Sequence, residues 1–187
     1  MAEQTQIRSS GRTIVESIAG KIFEAIERTE HLVRLVPTDR LAWRPELPSH
    51  LPPANDLGHT LGHLLDCLAG FCAAFHVAFP EELADFSDLR ALPVNQFCSA
   101  EEARNGIRMY AGHIQRAFRC CSDADLTRRV PTVFVADGEI LMTLLLGNLE
   151  HLLNHKYQLF LYLKVAGLPV SSKDLYRFRG GFPDASS

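Results

Sequence analysis

The feature that most constrains the fold is an apolar run near the end of the chain that carries two histidines. From position 145 to 166, apolar side chains recur at steps of three and four residues with one interruption at Lys156, and Gly167 and Pro169 then end the pattern. His151 and His155 lie inside this run, four residues apart. One helical turn therefore places both imidazoles on the same face, where they can bind a single metal ion.

A second predicted helix repeats this spacing. His59 and His63 are four residues apart in an apolar stretch that Asn55 or Asp56 can cap. If the two helices face each other, three or four ring nitrogens meet in a mostly dry interior, which suits zinc, nickel, iron or copper better than calcium or magnesium. The alternative is a set of structural histidines that hydrogen-bond to one another or to the backbone.

Two further helices follow from capping boxes. Thr13 with Glu16 predicts a helix to about residue 36, and Ser99 with Glu102 predicts another to about residue 121. The histidine helices complete the set, the first from residue 55 or 56 to about 79 and the last from about 139 to 166. Each has one apolar face, so we expect an all-α fold in which the four helices bury these faces together as a four-helix bundle.

The segments between the helices also carry predictions. The connections at residues 37–53 and 80–98 are long enough for crossovers, so the topology need not be up-down-up-down. Residues 129–139 are rich in β-branched side chains and contain the turn signal Asp137-Gly138 near their end. This pattern predicts a short extended or hairpin-like excursion before the last helix. We expect one domain over residues 1–170 and an irregular tail over 171–187.

Composition excludes several function classes. The net charge is -3 and no basic run is interleaved with aromatic residues, which argues against nucleic acid or an anionic membrane as a partner. The five cysteines are odd in number and lack Cys-x-x-Cys spacing, so reduced thiols in the cytoplasm are expected. The start of the chain has no apolar signal, and the most apolar tract, residues 64–79, is shorter than the roughly 20 residues of a membrane span.

At this point the sequence resembles a known family, the DinB/YfiT superfamily of metalloproteins. The resemblance covers nearly the whole chain to Pro169. It is carried by a tryptophan-proline loop, a helix with one ligand histidine, and a last helix with paired histidines: Trp43-Arg44-Pro45, then His63-Leu64, then His151-Leu-Leu-Asn-His155-Lys-Tyr-Gln158-Leu-x-x-Tyr162-Leu. Lys156-Tyr157 departs from the Arg-Gly that is usual in the family, beside the expected metal site.

The resemblance implies a four-helix bundle with one crossover, frequent homodimers, and nickel or zinc as the usual metal. It places the three ligands on His63, His151 and His155, with water or substrate completing the shell. His59 is the surplus histidine, and three roles stay open for it: a fourth ligand, a group at the mouth of the site, or a plain polar residue. An apolar stripe on helix one is the expected seat of the dimer.

Other residues near the ligands have weaker assignments. Asp66 and Cys67 follow His63 by three and four residues, so either could support a ligand or coordinate from outside, although Cys67 also fits a small core residue. Asn148, three residues before His151, could hold a histidine or a water. Asp66, Glu150 and His59 are the candidate general bases nearest in sequence to the ligands, and the catalytic residue itself stays unknown.

Two functions from different classes follow. The first is a metal-dependent enzyme of the DinB/YfiT type that activates water or a low-molecular-weight thiol for hydrolysis or thiol transfer to a small-molecule substrate. The alternative is a catalytically silent metal-binding or stress-related module. A fourth protein ligand such as His59 would favour the alternative, because four protein ligands leave no coordination position for water or substrate.

Overall fold

A computed structural model describes residues 11–133 and 135–180. Three stretches with predictions lie outside these ranges: residues 1–10 of the domain, Phe134 of the excursion and residues 181–187 of the tail. The elements in chain order are α1 (Thr13–Val33), a 3-10 turn (Thr38–Arg40), α2 (Leu57–Ala78), α3 (Phe86–Arg90), α4 (Ala100–Cys120), α5 (Asp123–Leu126), β1 (Arg129–Val130), β2 (Glu139–Ile140), α6 (Leu141–Val165) and α7 (Ser172–Leu175).

The four long helices form the predicted bundle. Helix α2 packs chiefly against α6 and α4, and α1 packs against the same two helices. Their facing side chains are fully buried, among them Ile22, Leu64, Phe71, Ile107 and Leu152. Among the described residues, α2 is the one helix long and apolar enough to cross a membrane, but 61% of its apolar window is buried inside the bundle, as in a core helix. The predicted all-α fold is confirmed.

Caps were predicted for three of the four long helices, and two of these caps are confirmed. Asp56 accepts a hydrogen bond from the backbone of His59, and Ser99 forms the full capping box with Glu102. The box predicted at Thr13 is wrong, because the N-cap of α1 is the preceding residue and no side chain of that turn caps it. Instead the carboxylate of Asp123 accepts from the backbone of Val15 at 2.9 Å, so a distant segment satisfies this helix end.

The second long connection returns along α2 and determines what covers the histidine face. The backbone of Asn95 donates to the carbonyl of Gly62 at 3.1 Å, and Cys98 donates to the carbonyl of Gly58 at 3.2 Å. The approach is close because both helix positions lack a side chain. A Cβ on Gly62 would lie 1.8 Å from the carbonyl oxygen of Gln96.

The hairpin and the tail refine the predicted boundaries. Strands β1 and β2 pair antiparallel with Arg129 opposite Ile140, which confirms the excursion and makes α6 begin at Leu141. The tail predicted to be irregular contains α7, whose capping box joins Ser171 to Asp174. Leu175 of this helix is buried in the core, so residues 171–175 pack against the bundle.

Candidate metal centre

The packing of α2 on α6 brings the three predicted ligands together. The ring centroids of His63 and His155 lie 4.1 Å apart, those of His151 and His155 4.7 Å, and those of His63 and His151 5.2 Å. The Nε2 atoms of His63 and His155 face each other at 3.0 Å. One ligand atom from each histidine and the Sγ of Cys67 all lie within 4.8 Å of one another.

A short chain of hydrogen bonds fixes the ring of His63. The amide nitrogen of Asn95 donates to the carboxylate of Asp66 at 2.9 Å, which directs the amide oxygen of Asn95 to Nδ1 of His63. The Nδ1–H group therefore donates to Asn95, and the lone pair of Nε2 faces the cluster. Asn95 has a positive φ of 57°, a left-handed conformation that asparagine tolerates better than most residues.

His155 is oriented in the same way from its own helix. The amide oxygen of Gln158 lies 2.8 Å from Nδ1 of His155, and the amide nitrogen of Gln158 donates to the hydroxyl of Tyr162 at 3.0 Å. The ring of Tyr162 packs edge-on against Trp43 at 5.9 Å. The loop tryptophan thus supports a histidine through two intervening side chains, and Nε2 of His155 also presents its lone pair to the cluster.

The donor set fits a transition metal. Two Nε2 lone pairs 3.0 Å apart repel each other unless a cation or a proton lies between them. Tetrahedral zinc with Zn–N bonds of about 2.0–2.1 Å separates its ligand nitrogens by about 3.3 Å, close to this spacing. Burial lowers the pKa of His155, and positive charge on His63 or His151 lowers it further against the opposing effect of Gln158. Burial therefore favours the neutral imidazole, which is the form that binds metal.

Cys67, weighed in the sequence as an outer ligand or a small core residue, lies inside the cluster. It is one helical turn after His63 and is only 1% exposed. Burial, with the added negative charge of Asp66, raises the pKa of its thiol to about 12. Without metal the side chain is a neutral thiol beneath the imidazoles. Only a bound cation close to the sulfur would favour the thiolate.

His59 lies outside the cluster, although its spacing from His63 is the same as that of Cys67. Its Nδ1 lies 2.8 Å from the carboxylate of Asp56, and its ring packs edge-on against Phe97 at 5.5 Å. The side chain is 48% exposed. Among the described residues, the cluster therefore takes its fourth donor from the C-terminal side of His63 and not from the N-terminal side.

The remaining predicted neighbours make no hydrogen bond to the three histidines within the described part of the chain. Asn148 faces α2 at Gly70, where its amide oxygen is 2.7 Å from the position of an added Cβ. Glu150 and Tyr157 are exposed to solvent. Lys156 is buried, with its ammonium group 6.0 Å from the ring centroid of Tyr176 in the tail. The departure at Lys156-Tyr157 from the family pattern therefore does not touch the metal-facing side of α6.

Three residues that support the cluster were not assigned this role from the sequence. Gln158 and Tyr162 appeared only as part of the family pattern, and their spacing of three and seven residues from His155 was the available signal. Asn95 is 32 residues from His63 in a loop without regular periodicity, so no local pattern connects the two.

No protein-family model matches the sequence, and no curated protein matches it. Among solved structures, the crystal structure of a DinB-like protein from Bacillus subtilis, YjoA, matches with a TM-score of 0.61 and 16% sequence identity. The match covers 87% of this chain and 99% of that chain. At this level of identity, the similarity establishes the fold.

Proposed function

We propose that this chain, which has the fold of a DinB-like protein, is a metal-dependent enzyme whose His63, His151 and His155 bind zinc or nickel. The observation that carries the proposal is the pair of Nε2 atoms of His63 and His155, which face each other at 3.0 Å. The Nδ1 atom of each ring is already paired with an amide oxygen. Outer hydrogen bonds of this kind fix the tautomer in histidines that ligate metals.

The proposed reaction is hydrolysis, or transfer of a low-molecular-weight thiol to an electrophile. A divalent metal, when bound, lowers the pKa of a coordinated water or thiol toward neutrality and so supplies a nucleophile. The three imidazoles are half-buried, so solvent and a small substrate can reach them. The five cysteines are free, which fits the proposed cytoplasmic location.

The side chains around the ligands have separate proposed roles. Asn95 and Gln158 hold the rings, and the carboxylate of Asp66 is engaged in holding Asn95. Glu150 is exposed on α6. Of the three candidate bases we favour His59, because Asp56 pairs with its Nδ1 and leaves Nε2 available to accept a hydrogen bond.

A second function is favoured by one specific observation, the position of Cys67. If its sulfur coordinates the metal, three imidazoles and one thiolate complete a tetrahedral shell, and a closed shell is typical of structural sites. The chain would then be a catalytically silent metal-binding module whose metal contributes to folding. The two proposals share the histidines and differ in whether the fourth position is open.

Metal content tests the part that both proposals share. Protein purified without a chelator or a histidine tag should contain about one zinc or nickel ion per chain by elemental analysis. We expect His63→Ala and His155→Ala to lose it. His76→Ala is the matched control, because His76 hydrogen-bonds to the carbonyl of Leu83 outside the cluster. Absence of metal, or equal metal in His63→Ala and His76→Ala, would refute the site.

Cobalt substitution then separates the two functions. Coordination of Cys67 gives the Co(II) protein a sulfur-to-metal charge-transfer band that Cys67→Ser abolishes, and this result supports the silent module. If the Co(II) protein with the native sequence lacks this band, Cys67 does not coordinate the metal. The fourth position is then open, which supports the enzyme. Turnover of ester, amide or thiol-acceptor substrates should then require the metal and disappear in His63→Ala.

A further inference from the structure

Lys156 is a buried lysine of α6 that takes no part in the metal centre. It interrupts the apolar pattern of that helix, and it is only 5% exposed. The charged groups that act on it, Lys21, Glu24 and Arg28, all belong to α1, so its side chain faces α1 rather than α2. Within residues 11–133 and 135–180, its ammonium group forms no hydrogen bond and no ion pair. Lysines are rarely buried this deeply unless an opposite charge pairs with them.

Glu24 is the negative charge that acts on Lys156, but other cations already occupy its carboxylate. Nζ of Lys21 lies 2.9 Å from one of its oxygens, and Nη2 of Arg28 lies 2.5 Å from the other. Three positive side chains therefore share one carboxylate, and two positive charges remain unbalanced. The side chains of Glu24 and Arg28 are only 16% and 21% exposed, so solvent screens this excess charge weakly and an anion is attracted to it.

Arg28 offers a second unpaired donor at the same place. Within the described part of the chain, its Nε atom is enclosed by protein and has no hydrogen-bond partner. The guanidinium carbon of Arg28 lies 5.6 Å from the centre of the Tyr176 ring, and the ammonium group of Lys156 lies 6.0 Å from the same ring. Both cations therefore converge beneath one aromatic side chain. An ammonium group and a guanidinium Nε–H are charge-assisted donors, and both suit the oxygen atoms of an oxyanion.

The segment that contains α7 covers these two cations. It is anchored by the buried side chain of Leu175 and by Asp174, whose carboxylate lies 3.2 Å from Nε2 of His31 on α1. Two aromatic residues follow, Tyr176 and Phe178, and they are 62% and 47% exposed. The cover over the cations is therefore made of surface side chains. Rotation of these side chains can admit a small ligand while α7 stays anchored to the bundle.

We propose that Lys156 and Arg28 form a binding site for a divalent oxyanion of the phosphate type beneath Tyr176. A charge of -2 balances the two unpaired positive charges, and a tetrahedral anion can accept from the ammonium group and from the guanidinium Nε–H at once. Free phosphate and a phosphate monoester both offer this chemistry. The site lies on the α1 side of α6, whereas the metal centre lies between α6 and α2, so it goes beyond the proposed function and does not rest on it.

Isothermal titration calorimetry of the full chain with inorganic phosphate tests the site. Lys156→Met keeps the apolar stem but removes a charge-assisted donor, so the dissociation constant should rise roughly 10–100-fold. Lys164→Met is the matched control, because Lys164 is exposed on the same helix and its ammonium group also lies over an aromatic ring, that of Phe160, at 5.6 Å. It should bind phosphate like the native chain. His63→Ala should do the same, which distinguishes this site from phosphate bound to the metal.

Thermal unfolding gives a second readout. In a phosphate-free buffer Lys156→Met should be at least as stable as the native chain, because it removes an unpaired buried charge. Phosphate at ten times the native dissociation constant should raise the native Tm by about 3–6 °C and that of Lys156→Met by less than about 2 °C.

Phenyl phosphate in the same titration identifies the source of the anion. Tighter binding than that of inorganic phosphate, lost in Tyr176→Ala, assigns the site to a phosphate monoester whose organic part contacts Tyr176. Weaker binding than that of inorganic phosphate assigns it to the free anion. A native chain that binds neither compound, or equal phosphate affinity in Lys156→Met and Lys164→Met, would overturn the proposal.

Discussion

Gly62 lies where the loop that carries Asn95 crosses α2, and we predict that Gly62→Ala weakens both the fold and the metal centre. The added Cβ would lie 1.8 Å from the carbonyl oxygen of Gln96, and 2.8 Å from its carbonyl carbon and its nitrogen. These are backbone atoms, so no side-chain rotation relieves the contact. The loop must move away from α2, and it takes Asn95 away from His63.

The expected magnitude follows from two opposing effects. The contact is roughly 1.5 Å inside ordinary van der Waals distance, and overpacking of this kind costs about 1–3 kcal/mol. Alanine favours a helix interior over glycine by about 0.5–1 kcal/mol. The net loss of up to about 2.5 kcal/mol lowers the Tm of a domain of this size by up to roughly 10 °C. Displacement of Asn95 should also weaken metal binding roughly 10–100-fold.

Thermal unfolding of the metal-free protein and a chelator competition titration measure the two effects separately. Gly112→Ala on α4 is the matched control, because its Cβ would meet nothing within 4 Å. We expect this control to raise the Tm by roughly 1–4 °C through helix propensity alone and to leave metal affinity unchanged. If Gly62→Ala matches the control in both measurements, the loop does not hold the site in the way described.

Three further predictions concern the hydrogen bonds, the buried histidine and the helix cap. Asn95→Gly keeps the left-handed backbone but removes the amide that orients His63, so the metal dissociation constant should rise roughly 10–100-fold in the same titration. Burial lowers the pKa of His113, so the unfolded chain binds a proton that the folded chain resists, and stability should fall as pH decreases below about 6.5. Urea unfolding at pH 7 and pH 5 should show a smaller decline for His113→Asn. Asp123→Ala should cost about 1 kcal/mol in thermal unfolding, whereas Thr13→Ala should cost little, and equal losses would contradict the cap assigned here.

The helices could be predicted where the deciding contacts are local. The capping box of Ser99 and Glu102 and the cap by Asp56 are completed within one helical turn, so a few residues contain the whole signal. At Thr13 the same kind of signal failed. The cap of α1 comes from Asp123, which lies 108 residues beyond Val15, and tertiary contacts of this kind have no local pattern.

The cluster could be predicted in part for a related reason. A spacing of four residues places side chains on one helix face, and this was enough for His151 with His155. It could not choose between His59 and Cys67, because both are four residues from His63. The choice depends on where α6 crosses α2 and on Asp56, which holds His59 at the first turn of the helix.

The position of the loop with Asn95 did leave a signal in the sequence, but the signal lies in helix α2, which the loop contacts, and not in the loop itself. Gly58 and Gly62 are four residues apart, and each immediately precedes a histidine of α2. Two glycines at this spacing open a groove on a helix surface in which another backbone can lie, because no Cβ blocks the approach. The pair therefore predicts a backbone segment beside the histidine face, and the observed hydrogen bonds to both glycine carbonyls agree with this. It does not identify the segment, because any loop of sufficient length fits the groove. That choice requires the length and endpoints of the connection between α2 and α4, which places Asn95 next to His63.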